Sequence, residues 1–190
     1  NLVLNGLGTQ NINNNDTLTN VIVNKAGSTV VLIADMKIGP TGSLSLLSSR
    51  IQTTASHEVF VMNDAASAVN AGSSASYVEG FLRRNVPPVS APRVYDFPVG
   101  NAGKGYQRLT LDLYNGITPA LGSIQASFSN YSTDIWGLGL DAPCLMNYND
   151  TMLNNGYWTL TPANTASGEA NITLYNRSYT NAKTNYGVGI

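Results

Sequence analysis

The chain has 190 residues, which allows one large domain or two small ones with a substantial core. Ten basic and eleven acidic residues give a formal net charge of −1, so no field attracts a polyanion and no nucleic-acid partner is expected. A single cysteine and a single histidine exclude a disulfide framework and multi-histidine zinc sites. No apolar run approaches the roughly 20 residues of a helical membrane span, so no such span is expected.

Charged residues make up only 11% of the chain, against a typical value of about 25%. The sequence instead contains 23 asparagines and 18 glycines, together with many serines and threonines. These residues favour turns and hydrogen-bonded polar ladders over helices, because short polar side chains bond to nearby backbone groups. The composition therefore predicts an all-β protein.

Residues 1–86 predict a short parallel β-solenoid-like stack. Runs rich in β-branched or aromatic residues, flanked by Gly, Asn, Asp or Ser, predict strands at residues 2–4, 18–23, 30–38, 43–51, 58–62 and 77–83. An apolar strand followed by a polar corner recurs in degenerate form, as in a coil whose rungs stack strand on strand. In such a coil the inward side chains form apolar ladders, while Asn and Ser at the corners bond to backbone groups.

A proline-rich hinge is predicted at residues 87–93, because three prolines within residues 85–92 interrupt any helix or ladder. Beyond it, strands are predicted at residues 94–99, 106–114, 123–129, 157–161 and 169–175. Apolar and polar residues alternate in these strands, which predicts an antiparallel β-sandwich over residues 94–190. Residues 134–155 do not alternate and are predicted to form a long loop.

Two groups of short motifs occur in a recognisable order. In the first, NGLGTQNI at residues 5–12 is followed by LTNVIVN at 18–24. In the second, SYVEGFLRR at 76–84 precedes YDFPVG at 95–100 and YQRLTL at 106–111. This order resembles a module of large secreted surface proteins of Bacteroidota, of the kind often exported by the type IX system.

Two later segments, GYWTLTP at 156–162 and ANITLY at 170–175, are similar to the sandwich strands of the same family. The resemblance covers most of the chain and implies an extracellular or cell-surface location and a non-catalytic role. In the family the sandwich usually continues further, whereas this sequence stops at Ile190. We therefore expect an incomplete sandwich with an edge that a partner strand, or further chain, must cover.

No enzyme is predicted. His57 follows Ser56, but a lone histidine at a strand edge is more often structural than catalytic, and no G-x-S-x-G motif accompanies it. Arg83 and Arg84 close a predicted strand and are interpreted as members of a surface or interdomain ion pair.

Calcium is the one cofactor that the polar loops are suited to hold, through carboxylate and backbone oxygens. The candidate ligands are Asp134, Asp141 and Asp150, with Asp64 as a further candidate. The long loop lacks an Asp-x-Asp-x-Asp-Gly run, so capping of turns by these side chains is the competing interpretation.

A polysaccharide is a second candidate partner. Tyr131, Trp136 and Tyr148 could form a stacking platform for sugar rings, with Asn147 bonding to hydroxyl groups. The competing interpretation is that these aromatic residues pack in the core or anchor the loop.

Two Asp-Thr-apolar triplets match the O-glycosylation pattern that the resemblance implies, and they place candidate modification sites at Thr17 and Thr151. Both triplets lie in predicted Asn-rich loops, where a transferase would reach them. Chance is the alternative, since a three-residue pattern recurs easily in a chain rich in threonine.

The favoured interpretation is a structural or adhesive module of a secreted bacterial surface protein, which associates with itself or with neighbouring domains and could polymerise into an extracellular filament. The exposed rungs of a solenoid must be capped or paired, so end-to-end association is available. The expected contact residues are Leu2, Val3, Leu4, Tyr186, Val188 and Ile190. The alternative is a carbohydrate-binding module of a larger adhesin or polysaccharide-degrading enzyme.

Overall fold

A computed structural model describes residues 1–88, 91–113, 121–130, 156–164 and 170–175. The strands in chain order are β1 (Leu2–Leu4), β2 (Gln10–Ile12), β3 (Thr17–Leu32), β4 (Met36–Gln52), β5 (Val59–Val61), β6 (Val78–Glu79), β7 (Leu82–Val86), β8 (Arg93–Phe97), β9 (Val99–Asn101), β10 (Gly105–Tyr106), β11 (Leu109–Leu113), β12 (Gly122–Ser129), β13 (Tyr157–Pro162) and β14 (Ala170–Leu174). A 3₁₀ turn at Ala66–Ala68 is the only helical element in these ranges, so the all-β prediction is confirmed.

The first half of the chain winds as a stack of rungs whose strands form three parallel columns. Column 1 contains β1, then residues 21–23 of β3 and 44–46 of β4. Column 2 contains β2, the ends of β3 and β4, then β6 and β9. Column 3 contains the starts of β3 and β4, then β5 and β7. The predicted solenoid-like stack is therefore present.

Inward side chains in each column form an apolar ladder. In column 2 the residues in register on four successive rungs are fully buried: Val30, Ile51, Val78 and Val99. Burying one such side chain contributes about 1.5–3 kcal/mol, so a ladder of this kind holds neighbouring rungs together.

Asparagine side chains join the rungs at the corners. The Asn20 carboxamide oxygen accepts hydrogen bonds from the backbone nitrogen and hydroxyl of Ser43 on the next rung, both at 3.0 Å. Asn70 bonds to both backbone groups of Leu46 on the preceding rung, at 2.9 Å each. These bonds replace the ladder hydrogen bonds that the chain loses where it turns. The asparagine-rich composition thus has a structural role in this fold.

Antiparallel strands cover the last rung of the stack. β12 pairs with the outer side of β7, and β13 pairs with β12. In column 2, β10 folds back on β9. Antiparallel strands therefore cover this end of the stack in columns 2 and 3.

A separate three-stranded antiparallel sheet has the order β14-β11-β8. Its buried side chains belong to the same apolar cluster as the solenoid ladders, and they include Tyr95, Phe97, Leu109, Leu111 and Leu113. Strands before and after the proline-rich segment thus share one core. The division into 1–86, 87–93 and 94–190 stays a prediction.

The predicted strand at residues 30–38 is wrong in one respect, because the structure divides it. β3 ends at Leu32 and β4 begins at Met36, since the chain turns a corner between them. The Asp35 carboxylate stabilises this corner by accepting the backbone N–H of Glu58 on the next rung, at 3.2 Å. The sequence signal for this corner is Asp35, a polar turn residue inside the apolar run.

Candidate functional site

The first rung has an open strand edge. Within the described ranges, β1 and β2 each pair on one side only, with β3. The predicted contact residues Leu2, Val3 and Leu4 form β1; Val3 is 51% exposed, Leu2 is half-buried and Leu4 is buried. Unpaired backbone groups on such an edge can accept a further strand. The edge is therefore a place where a further strand, of this chain or of a partner, can be added.

Gln10 occupies the first inward position of the column 2 ladder, in register with Val30. Its Oε1 atom is buried and has no hydrogen-bond partner among the described residues. A buried carbonyl oxygen without a donor is unfavourable by about 1–3 kcal/mol. A donor brought to this end of the stack would remove that cost.

A buried lysine fixes the loop that follows β1. The Lys25 side chain is fully buried, and its Nζ donates hydrogen bonds to the backbone oxygens of Asn5 and Gly6, both at 3.3 Å. Gly6 and Gly8 have φ values of +86° and +87°, which suit glycine at these turns. Leu7 lies between them and is 90% exposed. The first rung is thus attached to the second by the hydrogen bonds of the Lys25 side chain as well as by the backbone pairing of β1 with β3.

A polar groove of about 520 Å³ crosses three rungs at the corner between columns 1 and 2. Its lining comprises residues 25–29, 48–50 and 74–75, which include five hydroxyl side chains and Arg50. The Arg50 guanidinium is held by the Glu79 carboxylate at 2.8 Å. Ser49, with φ of +81°, is the only non-glycine residue with positive φ in the described ranges. The groove presents hydrogen-bonding groups along the stack, at the rung spacing.

His57 lies at a corner of the stack, with its Nδ1 3.7 Å from Asp35 Oδ1. The neighbouring Glu58 accepts hydrogen bonds from Arg83 at 2.7 Å and from the Gln125 side chain. Arg83 therefore forms the predicted ion pair, and this pair links β7 to the preceding corner.

For Arg84 the predicted ion pair is wrong, because its partners are backbone oxygens. Arg84 occupies an inward ladder position between Val61 and Ile124 and is fully buried. Its guanidinium donates to the backbone oxygens of Ala65, Ala66 and Asp96 at 2.8–2.9 Å, and its buried Nε has no hydrogen-bond partner among the described residues.

Aromatic rings also surround the Arg84 cation, since its guanidinium carbon lies 5.0 Å from the centre of the Tyr95 ring and 5.9 Å from that of Phe97. Burial lowers the pKa of Arg84 to about 10. The alternation in β7, where Leu82, Arg84 and Val86 share the inward face, is the sequence signal that places this arginine in the core.

Most other predicted site residues lie outside the described residues. These are the proposed sugar-binding residues Tyr131, Trp136, Asn147 and Tyr148, the proposed calcium ligands Asp134, Asp141 and Asp150, the modification site Thr151, and the contact residues Tyr186, Val188 and Ile190. In the part of the chain that the structure describes, no group of three or more His, Cys, Asp or Glu side chains could hold a metal ion. Across the same ranges, no helix has the length and apolar character to cross a membrane.

Thr17 is exposed at the first position of β3, where it pairs with Lys37. The preceding turn is held by the backbone nitrogen of Asp16, which donates to the Asn14 side chain at 2.9 Å. An enzyme that modifies side chains could therefore reach the Thr17 hydroxyl.

Comparisons of the chain with models of known protein families, with curated proteins and with solved structures found no match.

Proposed function

We propose that the chain is a non-catalytic structural or adhesive module of a secreted bacterial surface protein, which associates with other copies or with neighbouring domains. The observation that carries this proposal is the stack of parallel rungs, which buried apolar ladders and corner hydrogen bonds hold together as a rigid body. Antiparallel strands cover the last rung, whereas β1 and β2 have an open edge in the described ranges. An open parallel edge above an apolar ladder favours addition of another strand.

Three further parts of the proposal depend on the resemblance to secreted proteins of Bacteroidota. They are export by the type IX route, an antiparallel β-sandwich over residues 94–190 like that of the family, and O-glycosylation of exposed Thr17. The module would serve either as a filament subunit or as one repeat of a large adhesin. Both roles require a rigid body, and the joined ladders and corner hydrogen bonds supply it.

The experiment is light scattering and negative-stain microscopy of the purified chain over a wide concentration range, with and without calcium. We expect ordered association that increases with concentration. Removal of residues 186–190 tests the part assigned to Tyr186, Val188 and Ile190, and unchanged assembly would refute it. A monomer at all concentrations would refute self-association.

Carbohydrate binding is a second candidate function, and the polar groove at residues 25–29, 48–50 and 74–75 favours it. Hydroxyl groups and an arginine at rung spacing provide hydrogen bonds for an extended glycan. The exposed groove residue Ala26 can be replaced by Trp to fill the groove, with A102W at an exposed turn as the control. Loss of retention on a glycan array in A26W alone would support glycan binding, and equal retention by the two variants would refute this location.

A further inference from the structure

A small pocket of about 190 Å³ lies at the corner between columns 2 and 3, on a different corner of the stack from the polar groove. The turns before β4 and β5, the residues that lead into β7, and β12 all contribute to it. The side chains used in the argument below are Asp35, His57, Glu58, Phe81, Arg83 and Gln125. Sites for drug-sized ligands have volumes of roughly 300–1,000 Å³, so this smaller pocket suits a ligand of about one six-membered ring.

The polar side chains of the pocket hold one another in place. The Glu58 carboxylate accepts hydrogen bonds from Arg83 Nε at 2.7 Å and from the Gln125 side chain. Asp35 Oδ1 accepts the backbone N–H of Glu58 at 3.2 Å. All four of these side chains are half-buried. A ligand that binds them therefore meets groups that are already ordered, which lowers the entropic cost of binding.

A gap between two of these side chains leaves room for a polar group. His57 Nδ1 lies 3.7 Å from Asp35 Oδ1, which is longer than a hydrogen bond. The Asp35 side chain is 38% exposed, and a carboxylate has about four lone-pair sites. A neutral imidazole has one donor and one acceptor. A ligand group that both donates and accepts can therefore bridge Asp35 and His57.

The mixture of donors and acceptors identifies the chemistry of the ligand. Asp35 supplies acceptors, Arg83 supplies N–H donors, and His57 supplies both. An amine only donates and a carboxylate or phosphate only accepts, whereas a hydroxyl group does both. Two carboxylates, Asp35 and Glu58, against the single guanidinium of Arg83 also leave one negative charge, which disfavours an anion. The pocket is therefore suited to neighbouring hydroxyl groups.

The half-buried Phe81 side chain supplies an apolar wall to the same pocket. Its backbone N–H donates to Thr53 Oγ1 at 2.9 Å, which fixes the segment at this corner. An aromatic ring buries a large apolar surface, and a sugar ring presents an apolar C–H face beside its hydroxyl groups. Phe81 thus meets the ring while the polar side chains meet its hydroxyl groups.

We propose that this pocket binds a single uncharged sugar residue, the terminal unit of a glycan, through two neighbouring hydroxyl groups and one face of the ring. This inference goes beyond self-association and gives a ligand class to an adhesive module. It concerns a site separate from the groove at residues 25–29, 48–50 and 74–75.

The test is saturation-transfer NMR of the purified full chain with the methyl glycosides of glucose, galactose and mannose. Cyclohexanol is the control ligand, because it has a six-membered ring but a single hydroxyl group. We expect transfer to at least one methyl glycoside and little to cyclohexanol. Transfer to none of the glycosides, or equal transfer to cyclohexanol, would overturn the proposal.

Two variants test the location of the sugar. D35N keeps an oxygen for the Glu58 backbone N–H but replaces the other acceptor with a donor, and F81L keeps an apolar side chain but removes the ring. We expect each to bind the sugar about tenfold more weakly. The matched control is D64N, since Asp64 is an exposed carboxylate on another turn. Circular dichroism shows whether each variant is folded, and unchanged binding in folded D35N and F81L, or equal loss in D64N, would overturn the proposal.

The groove variant A26W separates this inference from the second candidate function. Sugar binding that is lost in A26W and retained in D35N would place the sugar in the groove, so this inference would fail while glycan binding by the groove stands. Sugar binding that is lost in D35N and retained in A26W supports the pocket. A chain that binds sugar in this way and stays monomeric would refute self-association alone.

Discussion

Replacement of Arg84 by methionine tests whether a buried cation stabilises the junction between the solenoid and the strands that follow it. Three hydrogen bonds from a charged donor to backbone oxygens contribute about 1.5–3 kcal/mol each, or roughly 4–9 kcal/mol together. The opposing cost of burying the charge is about 3 kcal/mol, since burial lowers the pKa of Arg84 well below its ordinary value, to about 10. Methionine recovers part of the packing against the Tyr95 and Phe97 rings.

We therefore expect R84M to lose about 2–4 kcal/mol of unfolding free energy, or about 4–16 °C in Tm for a chain of this size. The assay is urea and thermal denaturation followed by circular dichroism. The matched control is R83M at the neighbouring position, which removes an ion pair with Glu58 whose side chains are 26% and 18% exposed, and it should cost about 1 kcal/mol. Equal stability of the two variants would refute the hydrogen-bond argument.

The pH dependence of the stability difference between R84M and the parent chain follows from the lowered pKa of Arg84. The folded-state pKa of Arg84, about 10, lies below the unfolded value, so the unfolded chain binds more protons than the folded chain above about pH 10. The stability from this group therefore rises with pH only between about pH 10 and the unfolded pKa. Below about pH 10 the desolvation cost is fully present and constant. The difference between R84M and the parent chain should therefore be the same at about pH 6 and about pH 9, and a marked change between these values would contradict the assignment.

Three further substitutions test the rungs. K25M removes the donor for the carbonyl groups of the first-rung loop and should lower stability by about 2 kcal/mol in urea denaturation, with faster amide exchange confined to that loop. N70A removes two hydrogen bonds to Leu46 and should cost about 1–3 kcal/mol; an unchanged denaturation midpoint would contradict the role given to corner asparagines. G42A places a Cβ onto the backbone oxygen of Thr19 and should prevent the rungs from closing, seen as loss of the folded circular dichroism signal.

Strand positions were predictable because inward and outward residues alternate within each rung. The predicted strand at residues 2–4 agrees with β1, and the prediction at 123–129 agrees with β12 to within one residue. β2 was not predicted, since Gln10 and Asn11 are polar and its position in the sheet comes from pairing with β3. Short polar strands of this kind are set by their neighbours, and a local pattern does not contain that information.

The register between rungs could not be predicted from the sequence, for a related reason. β3 and β4 pair with shifts after Leu18, Val23 and Asn24, so the repeat length changes within a single pair of strands. A fixed period was therefore not visible along the chain. The corner asparagines accommodate these register shifts, because a side-chain amide can donate and accept hydrogen bonds where the backbone groups of neighbouring rungs are not in register.

The buried cations were missed because charge normally indicates the surface. Lys25 and Arg84 both occupy positions where the alternation points inward, and both bond to backbone oxygens, with no carboxylate partner in the described part of the chain. Each one holds a segment that does not belong to the ladder itself: the loop after β1 in one case, and the turn at Ala66–Ala68 with β8 in the other. A stack of rungs satisfies its own backbone but leaves carbonyl groups free where the chain departs from it. A long cationic side chain supplies several donors at such a point, so buried basic residues in this fold mark where non-repeating segments are attached to the repeat.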